Sequence, residues 1–198
     1  MKYMTMDCEG DGLHRSINQK LFPNANHFDK NTTIWCVTFA VGEHCVTFFK
    51  KLPDKEHRRN VILDDGKVWG TVNSYHDAES KPYDYSALTD FRDFTDKSYE
   101  EYLQAIADFL RAAHDRRYRI YYKSYNGYKY DEDLLRVNFD KYNIDITHCF
   151  DYMYSCEAWM PKTTEQQSLG TYTPNEVFMN KGIKHNIEDA KELYKRTI

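Results

Sequence analysis

Near the N-terminus the run Tyr3-Met4-Thr5-Met6 gives way to Asp7-Cys8-Glu9-Gly10-Asp11-Gly12-Leu13, an apolar stretch that ends in carboxylates and glycines. If this stretch is a strand, Asp7 and Glu9 point to the same face, because alternate residues of a strand do. Two carboxylates held that close repel each other unless positive charge lies between them, and a divalent cation is the usual solution. Gly10 and Gly12 would let the backbone turn sharply and let a ligand approach it. Taken alone, Asp-x-Glu is a very weak signal, and in an acidic chain it is more often a solvated turn.

Two later stretches carry related chemistry. In Tyr125-Asn126-Gly127-Tyr128-Lys129-Tyr130-Asp131, the aspartate stands where a strand gives way to a helix, a place from which side chains reach sites. In His185-Asn186-Ile187-Glu188-Asp189-Ala190, His185 and Asp189 are four apart and share one face if both are helical. Asp7, Glu9, Asp131 and Asp189, with one histidine, therefore come from separate elements that could converge. Of the remaining histidines, His14, His44, His57, His76, His114 and His148 show no ligand spacing and read as surface or turn residues. Lys50, Lys51, Lys55, Arg58 and Arg59 could follow phosphates or form a solvated loop. Neither Asp64-Asp65 nor Asp131-Glu132-Asp133 has a calcium-loop pattern.

The elements that must position these residues are legible in outline. After the opening strand, residues 14–31 read as a loop. The β-rich runs Thr33–Val41 and His44–Phe49, either side of Gly42-Glu43, predict a hairpin. Residues 51–97 read as an insertion in a single domain covering 1–198, with a small hairpin pairing Val61-Ile62-Leu63 with Lys67-Val68-Trp69. Ser98 and Glu101 form a capping-box pattern, and Tyr102, Leu103, Ile106, Phe109 and Leu110 follow at helical spacing to about His114. A strand over 118–125, a helix over 131–142 and a further strand over 145–152 come next. Thr173-Pro174-Asn175-Glu176 predicts a helix start, and a last helix over 186–195 is expected to follow Gly182. The order predicts an α/β fold with a mixed sheet covered by helices.

Composition bounds the function. A chain of 198 residues can bury a core as one domain. Its net charge of −4 does not mark a nucleic-acid binder, but a carboxylate-rich metal site would itself make a nuclease acidic. The 17 tyrosines and 11 phenylalanines are many for this length, and the tyrosines exceed what a core normally needs; exposed aromatics can stack on bases, and strand and core-edge positions account for the tyrosines at least as well. Cys8, Cys36, Cys45, Cys149 and Cys156 are odd in number and contain no Cys-x-x-Cys pair, which favours reduced thiols in a soluble cytoplasmic protein. No stretch reads as a signal-peptide core or a membrane span.

In this order, the three stretches resemble the three motifs of the DEDD, or DnaQ-like, 3′–5′ exonucleases. Asp7-x-Glu9-x-x-Gly12 resembles the first motif, residues 125–131 followed by Leu135 the second, and His185-x-x-x-Asp189-Ala190 the third. Ile34-Trp35-Cys36 sits where the family often places its second strand. The style is nearest to the proofreading domains of phage-type DNA polymerases. The resemblance implies a ribonuclease-H-like mixed sheet of about five strands flanked by helices. It implies a free-standing exonuclease that releases nucleoside 5′-monophosphates from the 3′ ends of single-stranded DNA or RNA. A separate polymerase is a partner it allows.

The family's two-metal mechanism assigns Mg²⁺ or Mn²⁺ to Asp7, Glu9, Asp131 and Asp189. Asp7 bridges both ions, Glu9 and Asp189 complete the shells, and Asp131 orients the second ion through water. His185 is the expected general base. Gly12 and Leu13 are expected near the terminal nucleotide, Asn126 on the backbone or a carboxylate, Tyr128 along the strand path and Tyr130 in the core. The family's histidine branch separates His and Asp by five positions and its tyrosine branch by four. Here a histidine stands at the tyrosine spacing, either as the base on a shifted helix turn or in an enzyme that has lost its base. The competing functions are an exoribonuclease and a nucleic-acid-binding module with a weak site.

Overall fold

A computed structural model describes residues 2–11, 32–52, 58–62, 68–73, 81–123, 130–156 and 175–198. Strand β1 is Lys2–Asp11, and the hairpin forms as β2, Thr33–Val41, and β3, His44–Phe49. Gly42 takes φ +63° in its turn, a conformation that costs glycine little. The small hairpin forms as β4, Arg58–Ile62, and β5, Val68–Asn73, a two-stranded sheet of its own. Strand β6, Asp90–Asp93, instead joins the main sheet from within the segment expected as an insertion. Its Phe91 ring stacks on Phe49 at 5.6 Å.

Helix α1 is Tyr99–Asp115, β7 is Tyr118–Lys123, and α2 is Tyr130–Lys141. A 3₁₀ helix, Thr147–Tyr152, leads into β8, Met153–Cys156, and α3 is Asn175–Thr197. The protein is thus an α/β protein whose six-stranded mixed sheet, in the order β6-β3-β2-β1-β7-β8, is flanked by helices. Only β2 runs against the others: β1–β2 and β2–β3 are antiparallel, while β3–β6, β1–β7 and β7–β8 are parallel.

The capping box at α1 forms as read. The Glu101 amide donates to Ser98 Oγ at 3.1 Å and the Ser98 amide to Glu101 Oε2 at 2.8 Å. One core lies between the sheet and helices α1 and α2; it includes Met4, Met6, Cys8, Ile34, Phe39, Leu103, Ile106, Ile120, Leu134 and Leu135. A second lies on the opposite face, where Trp35, Cys36, Phe49 and Tyr85 meet Met179, Ile183 and Ile187 of α3. The alternating residues of β1 serve both faces.

Two expected elements are corrected. The strand expected over 145–152 is a 3₁₀ helix, with the strand proper starting at Met153. The Asp145 carboxylate accepts from the Thr147 amide at 2.9 Å, and the Cys149 amide reaches the Ile146 carbonyl at 2.8 Å. These local bonds turn the chain before it can pair. Gly182 does not separate two helices either, because α3 runs unbroken through it. A Cβ there would lie 2.6 Å from Trp35 Cη2, so the glycine admits the indole against the helix. Among the described residues, no helix is long and apolar enough to cross a membrane.

Candidate active site

The site begins with an irregularity. Glu9 pairs with Cys36 but Gly10 pairs with Ile34, leaving Trp35 as an extra residue in β2. A bulge of this kind bends the strand and turns consecutive side chains to one side. Trp35 and Cys36 both enter the α3 core, while Ile34 enters the other. The Ile34 amide donates to the Tyr99 hydroxyl at 2.7 Å, which donates in turn to Asn138 Oδ1 at 2.8 Å. The bulge is thereby fixed from both faces of the sheet.

Asp7 and Glu9 share the face of β1 that looks toward α3, with Met6 and Cys8 buried on the other side. Thr5, on the same face, donates from Oγ1 to the Ala190 carbonyl of α3 at 2.6 Å. One helical turn earlier, Asn186 Nδ2 donates to Asp7 Oδ2 at 2.9 Å, and the Cys36 thiol donates to Asn186 Oδ1 at 3.4 Å. The amide of Asn186, which is fully buried, is therefore oriented by the thiol behind it and presents its N–H groups to the carboxylate in front. Asn186 and Cys36 carried no motif signal. Asn186 was visible only as the neighbour of His185, and Cys36 only as a residue of β2.

Asp131 approaches from the other face. It lies in the first turn of α2, where the helix dipole favours an anion, and is only 2 % exposed. Gly10 makes that approach possible, since a Cβ there would meet both Leu134 methyls at 2.9 Å. Asp7, Glu9 and Asp131 together act on the groups between them. The Cys8 thiol is raised well above 9.0 by burial and then by Asp131, Asp7 and Glu9. Burial and then Glu9 and Asp7 raise Cys36, while burial and then Glu9 and Asp131 raise the Tyr130 phenol. Asp7 and Glu9 of β1 therefore bear on these groups, as Asp131 of α2 does on Cys8 and Tyr130, second in each case to burial.

His185 and Asp189 lie one turn apart on α3. Lys191 and Lys195 of the same helix pair with Glu43, in the β2–β3 turn, at 3.7 and 3.2 Å. With Asn186 facing β1, helical geometry puts His185 and Asp189 on the opposite flank, toward β7. The His185 side chain is 13 % exposed, and its Nδ1 lies 3.8 Å from Glu188.

The adjoining Glu132 has a different part. It accepts from the Tyr122 hydroxyl and from Arg136 at 3.0 and 2.7 Å, while Arg136 stacks 3.7 Å over Phe150. It is a buried structural carboxylate. Lys50, from the basic cluster, donates to the carbonyls of Phe94, Thr95 and Lys97, and burial lowers its pKa. Gly12, Leu13, Asn126 and Tyr128 lie outside the described residues, as do Lys55 and the loop expected over 14–31.

Asp7 and Glu9 of β1 and Asp131 of α2 are donors of the kind a hard cation takes, next to thiols that burial keeps protonated. Among the described residues, no group of three or more His, Cys, Asp and Glu side chains is placed to hold a metal ion. Mg²⁺ does not require one, since it commonly binds through one or two carboxylates and keeps several waters or phosphate oxygens. The chain matches no protein-family model and no curated protein sequence.

Proposed function

We propose that this protein is a divalent-metal-dependent 3′–5′ exonuclease of the DEDD class on a ribonuclease-H-like sheet. The observation that carries the reading is the pair Asp7 and Glu9 on one face of β1, with Asp7 held by Asn186 of α3, and the buried Asp131 at the start of α2, which packs on β1 where Gly10 meets Leu134. Such a concentration of like charge is costly to the fold and is characteristic of sites that bind cations. The sheet order supports it: β2 alone is reversed, and the parallel strands β1 and β7 bring their C-terminal ends together, where ligands bind in open α/β sheets.

In this reading Asp7, Glu9, Asp131 and Asp189 hold the Mg²⁺ or Mn²⁺ ions. When bound, these supply the charge that a phosphodiester needs on its attacking and leaving oxygens. Asn186 donates to Asp7 Oδ2 and so orients the carboxylate. His185, 13 % exposed on the same helix as Asp189, accepts the proton of the attacking water. The Trp35 bulge and Gly10 set the distance between β1 and the two helices that bring the remaining groups.

The test is a time course on 5′-labelled single-stranded DNA and RNA of one sequence, with Mg²⁺, Mn²⁺ or EDTA, beside Asp7→Ala. Expected is a ladder that shortens from the 3′ end, stops with EDTA and is lost in the variant. It also identifies the preferred sugar. An Asp7→Ala protein that trims at the parent's rate overturns the site, and no cleavage with either metal overturns the activity.

A further inference from the structure

The face of the sheet that carries Asp7 and Glu9 continues outward across β7 and β8, beyond the strands on which α3 mainly packs. Strand alternation puts Tyr3, Arg119, Tyr121 and Tyr154 on this face, since Met4, Ile120, Tyr122 and Met153 are buried in the opposite core. The pairing sets Tyr3 beside Arg119, Thr5 beside Tyr121, and Tyr121 beside Tyr154. The rings form a row, with centroids 6.1 Å apart from Tyr3 to Tyr121 and 5.5 Å from Tyr121 to Tyr154. The Arg119 guanidinium lies 5.4 Å over the Tyr154 ring. Tyr154 is 36 % exposed, a large area for an aromatic at a sheet position.

This row borders the candidate site directly. Thr5, opposite Tyr121, is two residues from Asp7 on the same face of β1, about 7 Å along the strand. The flank of α3 that bears His185 and Asp189 is turned toward β7 and forms the wall beside it. A row of rings with one cation across it suits a chain that offers flat π-faces and phosphates in alternation. Every base has such a face, so the fit does not depend on sequence.

We infer that Tyr154, Tyr121 and Tyr3, with Arg119, form a stacking platform for the single-stranded nucleic acid whose 3′ end reaches the carboxylates. This rests on the exonuclease reading for its direction, though not for the binding itself. The rings hold the bases upstream of the terminal nucleotide, and Arg119 contacts a phosphate.

Binding is read by fluorescence anisotropy of labelled dT4, dT8 and dT12 on the full chain carrying Asp7→Ala, in EDTA, so that cleavage plays no part. Tyr154→Ala in that background is expected to weaken dT12 about tenfold and to remove most of the affinity gained from dT4 to dT12. Tyr154→Phe, which keeps the ring, is expected to stay within about twofold of its parent. Arg119→Gln is expected to flatten the salt dependence by about 0.7 in log–log slope, one phosphate contact. Circular dichroism and a melting curve on each variant check that it is folded.

Unchanged dT12 affinity in Tyr154→Ala overturns the platform, and so does a loss that Tyr154→Phe shares. A dimer that Tyr154→Ala dissolves assigns the face to a second copy and overturns it as well. If Asp7 protein trims 3′ ends while its binding ignores Tyr154, the platform alone fails. Tight, Tyr154-dependent binding without trimming supports the platform and overturns the exonuclease reading.

Discussion

Replacing Asn186 by leucine isolates the contact on which the orientation of Asp7 depends. The side chain is fully buried, so leucine of similar volume retains most of the packing and removes the amide. Lost with it are a hydrogen bond to a carboxylate at 2.9 Å and a weaker one from the Cys36 thiol at 3.4 Å. Hydrogen bonds to charged groups contribute about 1.5–3 kcal/mol, and because Asp7 is partly exposed the lower end applies. With the thiol contact, the expected loss is about 2 kcal/mol, or a fall in Tm of about 4–8 °C for a chain of this size. Urea unfolding of the parent, Asn186→Leu, Asp7→Ala and the double variant separates the pair from its surroundings. A coupling of about 1.5 kcal/mol is expected between the two sites. Coupling below about 0.5 kcal/mol would mean that the amide does not hold the carboxylate, and the positioning argument would fail.

Three further outcomes follow from the geometry. Gly182→Ala gains about 1 kcal/mol of helix propensity but drives a methyl into the buried Trp35 ring, and overpacking of about 1–3 kcal/mol outweighs it; a Tm above the parent's would refute the close approach of helix and bulge. Cys8 and Cys36, raised above 9.0 by burial and the nearby carboxylates, stay protonated in the fold while the unfolded chain ionises. The unfolded state therefore sheds protons first. Stability is fully present below about pH 9 and falls as pH rises, by up to about 1.4 kcal/mol per unit for each thiol. Melting curves from pH 8 to 10 should show this decline, shallower in Cys36→Ala, and an identical decline in that variant would remove Cys36 as a cause. His185→Ala should lower kcat by about 10²-fold with KM little changed, and an unchanged kcat would take the histidine out of the mechanism.

Features written in local chemistry were legible in the sequence. Gly42 between two β-rich runs marked the hairpin turn, and Ser98 with Glu101 marked the start of α1, because a positive φ and a capped amide each demand particular residue types. Alternation placed Asp7 and Glu9 on one face of β1. What escaped depended on partners far along the chain. Gly182 resembled a helix break because glycine weakens helices, yet the residue that explains it, Trp35, is far away in sequence. The run 145–152 has strand-forming residues, but the Asp145 side chain captures the Thr147 amide and bends it. Asn186 is polar and buried, a combination that makes sense only once Asp7 and Cys36 are on either side of it. The bulge at Trp35 has no sequence mark at all, although it decides which face Cys36 occupies.

The spacing of His185 and Asp189 can be argued from the helix itself. Successive residues of an α-helix are rotated by about 100°, so a separation of four brings two side chains within about 40° of each other, whereas five leaves them about 140° apart. Because α3 is unbroken from Asn175 to Thr197, the four-residue spacing, and not the five-residue one, puts histidine and aspartate on the flank that looks toward β7. Position 184, the five-residue alternative, is exposed, and Lys184 reaches Glu188 at 3.8 Å on the solvent side. On this helix a separation of four, unlike one of five, keeps a histidine on the same flank as Asp189. Moving the imidazole back by one, with Lys184→His in a His185→Ala background, should leave kcat at the level of His185→Ala, measured as release of mononucleotide from a labelled 3′ end. Recovery of the parent's rate would show that the base does not act from the β7 flank, and would place it on a helix surface that never faces the carboxylates of β1.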